Sequence, residues 1–198
     1  MSFRNEKKFR LSYGDSYHLK SNLISLGMKK MYPDRKINSE YFDTKHLKMF
    51  SDSEEGILPR KKIRLRWYND KLVKNLEIKV SSNEGRYKKS KRFYQDLKHS
   101  NFFLQDSLYG KIFSSIIVSY QREYFDYKGL RLTFDTKIKY TNSRRKSHLK
   151  FNDTETVLEV KTKNLHSNDY IDQVISHPTS RFSKYCRGIH LTCAFWIF

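Results

Sequence analysis

With 198 residues the chain is long enough for one domain, and its 40 Lys and Arg against 21 Asp and Glu leave a net charge of +19, which draws it to polyanions: nucleic acid, nucleotides, polyphosphate or anionic lipid. Hydrophobic residues make up only 37%, but an aromatic content of 15% and only 3 prolines exclude a disordered chain, which would be poor in aromatics. Two cysteines exclude a disulfide framework, and no apolar run approaches the roughly 20 residues of a membrane span.

The N-terminus is charged from Arg4 onward and has no apolar signal core. Phe3 to Leu11 reads as a first strand, with Phe9 and Leu11 on one face and Arg4, Glu6, Lys8 and Arg10 on the other. Asp15 or Ser16 is expected to cap a helix running to about Lys30, with Leu19, Leu23 and Leu26 as its apolar stripe. Tyr32-Pro33-Asp34 reads as a turn, and Ile37 to Phe42 as a second strand. Residues 45–59 read as a helical turn and a loop closing on Gly56 and Pro59. In Lys62 to Tyr68, Ile63, Leu65 and Trp67 alternate with Lys62, Arg64, Arg66 and Tyr68; Leu76 to Val80 alternates the same way beyond an Asn69-Asp70 turn, the signature of a hairpin. A loop over 81–85 leads to a basic run of Lys88, Lys89, Lys91 and Arg92. Residues 96–115 read as helical and mixed. Ile116 to Tyr124 and Leu130 to Phe134 form a strand pair around Lys128-Gly129. A polar loop over 141–153, a strand from Thr156 to Lys161 and a short helix from Asn168 to Ser176 follow. Cys186 and Cys193, seven residues apart and without metal-site spacing, read as reduced thiols of a cytoplasmic protein. The apolar end, Ala194 to Phe198, is expected to pack on the core.

One pattern recurs along these strands. Glu6 with Lys8, Glu77 with Lys79, and Glu159 with Lys161 each stand two residues apart, and Arg64 with Arg66 repeats the spacing. Residues i and i+2 of a strand share a face, so acids and bases are presented together. Such a face can hold a polyanion with its cations and a metal with its acids. Taken singly, each pair also fits a solvated strand face with weak ion pairs, and Arg64 with Arg66 also fits an exposed basic strand that touches nucleic acid. Asp43 and Asp135 read as turn-closing or arginine-orienting groups, and Ser183 as a neighbour that orients Lys184. The antiparallel strands make either a sheet open to water or a barrel whose charged face points inward, with helices over the apolar outer face.

In chain order, Arg4-Asn-Glu-Lys-Lys-Phe9, Tyr32 through Thr44, Arg60 through Tyr68, Leu76-Glu-Ile-Lys79, Ser119-Tyr-Gln-Arg-Glu-Tyr124, Leu130-Arg-Leu-Thr-Phe-Asp135, Leu158-Glu-Val-Lys161 and Phe182-Ser-Lys-Tyr185 resemble the VTC domain, the catalytic domain of polyphosphate polymerases within the triphosphate tunnel metalloenzymes. The resemblance implies an α+β fold: an antiparallel, barrel-like tunnel with flanking helices. It implies phosphate-binding roles for Lys8, Arg64, Arg66, Lys79, Arg122, Arg131 and Lys184, and also for Lys91 in the basic run. It makes Glu159 the main ligand of Mn²⁺ or Mg²⁺, with Glu6 and Glu77 as metal or water partners and Lys161 on the strand face of Glu159.

The implied reaction transfers the γ-phosphate of a nucleoside triphosphate, ATP foremost, to a growing polyphosphate chain. Hydrolysis by water would make the same site a triphosphatase, and charge alone would make it a polyphosphate- or RNA-binding module. Partners implied are the nucleotide and polyphosphate, with a membrane protein as a tether and no specific nucleic acid. With neither a phosphate-sensing domain nor a membrane segment in its 198 residues, the chain reads as a stand-alone form.

Overall fold

Ser12 sets the first boundary that the sequence places differently. In the computed structural model, which describes residues 6–69, 73–94, 102–144, 150–162 and 168–193, strand β1 (Glu6–Leu11) ends one residue before it. The Ser12 hydroxyl accepts from the Asp15 backbone N–H and donates to the Asp15 carboxylate. Ser12, not Asp15 or Ser16, therefore caps helix α1 (Tyr13–Ser25). The helix stops well before Lys30 because Gly27 takes φ +99° and the Gly27 and Met28 N–H groups turn back onto Ile24 and Leu23, a left-handed cap that glycine adopts without strain.

Strand β2 (Lys29–Asp43) follows at once and runs straight through Tyr32-Pro33-Asp34, so no turn forms there. Pro33 is exposed and lies upstream of the ladder to β3, which begins at Ile37, so β3 does not call on its missing N–H. Helix α2 (Lys48–Glu55) ends on Gly56 at φ +78°. Then come β3 (Arg60–Tyr68), β4 (Lys74–Ser82) and β5 (Gly85–Phe93), so the basic run is itself a strand. Residues 96–115 hold no helix where they are described. Instead β6 (Phe103–Asp106) turns into β7 (Gly110–Tyr127). Asp106 makes the turn, accepting from the N–H groups of Leu108 and Tyr109, as aspartate does in a side-chain-closed turn. Lys128 and Gly129, both at positive φ, link β7 to β8 (Leu130–Asn142) in the geometry that matches strand twist. Short β9 (Lys150–Asn152), β10 (Thr156–Thr162), α3 (Asn168–Val174) and α4 (Lys184–Cys193) complete the order. The helix at α4 is not foreseen from its sequence. Ser183 caps it, accepting from the Cys186 N–H. The apolar end 194–198 lies outside the described residues.

The strand path is β1-β10-β8-β7-β2-β3-β4-β5, with β6 on β7 and β9 on β8. The ladders of β1 with β10, β10 with β8, and β2 through β5 are antiparallel. The sheet is not closed: no ladder among the described residues joins β1 to β5.

The chain forms two compact units. One comprises Met1–Lys36, Tyr120–Ile138 and Asn152–Phe182; the other Ile37–Ser119, Lys139–Phe151 and Ser183–Phe198. In the first unit, Phe9, Leu11, Leu132, Phe134, Leu158 and Val160 form the apolar strand face, packed with Leu23 of α1 and Ile171 of α3. In the second, Phe42, Ile63, Leu65, Leu76 and Ile112 pack with Met49 of α2. A methyl group at Gly188 would come within 2.5 Å of Ile116 Cδ1 and 2.6 Å of the Tyr140 ring, so glycine there admits α4 to the second core.

Candidate phosphate-binding site

Because each core face is apolar, the alternate positions of the same strands carry the charge. In the first unit, Glu6 stands opposite Lys161, Lys8 opposite Glu159, and Lys161 opposite Arg131. The two acids converge on a single ammonium: Lys161 Nζ is 2.9 Å from Glu6 Oε2 and 2.8 Å from Glu159 Oε1. Lys8 Nζ lies 3.4 Å from Glu6 and donates to the Phe182 carbonyl. Burial pushes the Glu159 carboxyl up, but Arg122, Lys161 and Lys8 outweigh it and hold the group far below the usual carboxylate range. Glu6 is also lowered, Lys8 and Lys161 outweighing both burial and repulsion from Glu159. Lys161 loses affinity for its proton through burial and regains more from the two acids, ending above the ordinary lysine value.

Arg122 is fixed by Asp135. Its Nε and Nη2 donate to the two carboxylate oxygens at 2.5 and 2.6 Å, and its guanidinium lies 5.3 Å from the Tyr120 ring. Asp135 thus takes the arginine-orienting role read from the sequence. Arg131 is half-buried, and its Nε is buried with no hydrogen-bond partner among the described residues. A buried donor left unmade is costly, and an anion would satisfy it.

In the second unit the register of β3, β4 and β5 sets out one face in rows. Arg60, Ser81 and Arg86 form the first, Lys62, Lys79 and Lys88 the next, then Arg64, Glu77 and Ser90, then Arg66, Asn75 and Arg92. Eight cations share this face with one acid. Glu77 Oε2 accepts from Arg64 Nε at 2.8 Å and Nη2 at 2.6 Å, Arg66 Nη1 is 3.5 Å away, and Lys88 Nζ donates to Oε1 at 2.7 Å. Burial raises the Glu77 carboxyl, but Arg64, Arg66 and Lys88 pull it down to about 2. Lys79 is exposed, and Lys184 opens α4 half-buried. Lys91 stands opposite Leu76, on the other face of β4 from Glu77. Lys88 takes the position on the charged face that the sequence reading gives to Lys91.

Sequence reasoning also misses Lys62, Ser39 and Tyr41. Lys62 Nζ donates to the Ser183 hydroxyl at 2.9 Å, and Arg66 Nε donates to Ser39. Lys62 is legible as the i−2 neighbour of Arg64, whereas Ser39 meets Arg66 only across the ladder. Tyr41 faces Arg64 across the ladder, accepts from Arg64 Nη1 at 2.7 Å and stacks on Tyr185 with ring centres 5.0 Å apart. Tyr185 in turn donates to Asp43, whose carboxylate also accepts the Met49 and Phe50 N–H groups at the start of α2. Burial raises the Tyr41 phenol, but Arg64 and Arg66 outweigh it and bring it down to about 8. One tyrosine should therefore ionise near pH 8 in ultraviolet difference spectra, and Tyr41→Phe should abolish that step. Because the folded pKa lies below the unfolded value, this group adds stability as pH rises through 8 toward 10. The same ionisation puts a negative charge beside Arg64, so affinity for an added anion should fall over that range. An unchanged titration in Tyr41→Phe would refute the assignment.

A hard dication takes oxygen ligands, and Mg²⁺ is commonly held by one or two carboxylates plus substrate phosphates. Glu159 and Glu6, already converging on one cation, fit that donor set. Glu77 differs: it is held by three cations, Arg64, Arg66 and Lys88, and the face of β3, β4 and β5 brings no second acid to it. Among the described residues no helix is long and apolar enough to cross a membrane.

Solved structures share this fold. An adenylate cyclase candidate from Bacillus halodurans aligns with a TM-score of 0.57 at 11% identity, over 92% of this chain and 96% of its own. The PH1819 protein of Pyrococcus horikoshii gives 0.57 at 13% identity, over 96% and 99%. An adenylyl cyclase candidate from Hippeastrum with a dominant triphosphatase activity gives 0.53 at 15% identity, over 93% and 95%. These likenesses establish the triphosphate tunnel fold: a mostly antiparallel sheet with few helices. No curated protein matches in sequence. The profile of the VTC domain matches residues 3–193, nearly the whole chain, and the protein therefore belongs to the VTC domain family.

Proposed function

We propose that this domain is a metal-dependent polyphosphate polymerase that moves the γ-phosphate of a nucleoside triphosphate, ATP foremost, onto a polyphosphate chain. The observation that carries the reading is the face of β3, β4 and β5, where eight cations meet one acid in four successive rows. At about 3.3 Å per residue, the six steps from Arg60 to Arg66 extend about 20 Å, well beyond a triphosphate and suited to a longer chain of phosphates.

Phosphoryl transfer asks mainly for positioning and charge stabilisation. Arg64, Arg66, Lys79 and Lys184 supply these in the second unit; Lys8, Arg122, Arg131 and Lys161 supply them in the first. The guanidinium groups grip pairs of phosphate oxygens, and the ammonium groups act as point charges. A terminal oxygen of the acceptor chain attacks the γ-phosphorus. The bond from that phosphorus to the β–γ bridging oxygen breaks, and the nucleoside diphosphate leaves with the electron pair. Glu159, with Glu6, would hold Mn²⁺ or Mg²⁺, which neutralises charge on the transferred group when bound.

A second reading, triphosphate hydrolysis, is favoured by the triphosphatase activity of the Hippeastrum protein of the same fold. Purified protein given ATP and Mn²⁺ should release ADP and accumulate long-chain polyphosphate. Release of ADP with free phosphate alone would replace the polymerase with a triphosphatase. An absence of turnover, with polyphosphate binding intact in Glu159→Ala, would leave a binding module.

A further inference from the structure

Glu77 stands on a face where it is outnumbered eight to one, and it is only 4% exposed. Its surroundings differ from those of a metal ligand. One oxygen takes Nε and Nη2 of Arg64 and faces Nη1 of Arg66, and the other takes Lys88 Nζ. Among the described residues its hydrogen-bond and ion-pair partners are cations, each from a neighbouring strand of the same face. Arg64 and Arg66 receive further anchors from Tyr41 and Ser39 respectively. Left without Glu77, the two arginines and Lys88 would repel one another, since like charges side by side on a sheet are destabilising.

We propose that Glu77 is a positioning residue, not a metal ligand: it locks Arg64, Arg66 and Lys88 into one rigid cationic fork set toward consecutive phosphates of the chain. The idea rests on the reading of this face as a phosphate site. It adds that the site is preorganised by a buried anion, so phosphate arrives at guanidinium planes already set. A carboxylate beside a phosphate repels it, so the sign of the effect on affinity is decisive. Were Glu77 mere counter-charge, removing it would tighten binding. As a positioner, its removal weakens binding although the net charge becomes more positive.

The test is tripolyphosphate binding by calorimetry in EDTA, so that no metal takes part. Glu77→Gln should weaken binding about tenfold or more, as misplacement of gripping groups does. Glu77→Asp, which keeps the charge but shortens the reach, should weaken it in the same direction. In an Arg64→Ala background, Glu77→Gln should cost little further, and the Mn²⁺ concentration giving half-maximal turnover should be unchanged by Glu77→Gln alone. Tighter binding in Glu77→Gln, unaltered binding in Glu77→Asp, or a raised Mn²⁺ requirement would each overturn the proposal. If the wild-type protein itself failed to bind tripolyphosphate, the phosphate reading of the whole face would fall first, and the two failures are thereby told apart.

Discussion

Glu159→Ala should lose about 1,000-fold in turnover with ATP and Mn²⁺ while still binding tripolyphosphate in EDTA. Glu159 is 9% exposed, and its carboxylate is held ionised by Arg122, Lys161 and Lys8 against the cost of burial. Its removal takes away one of the two acids that, among the described residues, converge on Lys161 Nζ, and metal-dependent charge stabilisation contributes several kcal/mol, each 1.36 kcal/mol being about tenfold in rate. The three cations it leaves behind become stronger anion receptors, so metal-free binding should hold or tighten. That divergence is what a general loss of structure could not produce. Equal loss of binding and turnover, or turnover that survives the substitution, would remove Glu159 from the metal role.

Arg122→Ala should be the most destabilising single change on the charged faces. Asp135 is fully buried, and both of its oxygens are engaged by that guanidinium. Removing one partner of a buried pair leaves an uncompensated charge and costs about 3–5 kcal/mol, to be read as a lower urea midpoint. Replacing both partners by apolar groups, Arg122→Met with Asp135→Leu, should recover most of that stability and leave phosphate binding impaired. Such a double variant separates what Arg122 does for folding from what it does for a ligand. A single variant of wild-type stability would show that the pair is not held in solution.

Where charge and apolarity alternate, the chain announces its own faces. Lys62 to Tyr68 and Leu76 to Val80 do this, and β3 and β4 lie where their alternation puts them, with Arg64, Arg66 and Glu77 on one side. The basic run does not. Lys88, Lys89, Lys91 and Arg92 are all cations, so they carry no period, and only the tight connection from Ser82 to Gly85 decides that Lys88 faces Glu77 while Lys91 faces away. The stretch 96–115 misleads for a related reason. Its apolar residues suit either period, and from Phe103 onward a side-chain-closed turn at Asp106 decides for strands. Tyr41 was visible as an aromatic in a strand, but its ionisation depends on guanidinium groups brought alongside by pairing across strands. The convergence of Glu6 and Glu159 on Lys161 arises in the same way, from residues more than 150 positions apart.

The division of the chain carries a lesson for anyone wishing to dissect it. Each compact unit is assembled from three separate stretches, and β2, β7 and β8 each begin in one and finish in the other. No truncation from either end can therefore yield one intact half. A premature stop in the middle removes stretches of both, and the polypeptide must be essentially complete before either half has all its parts.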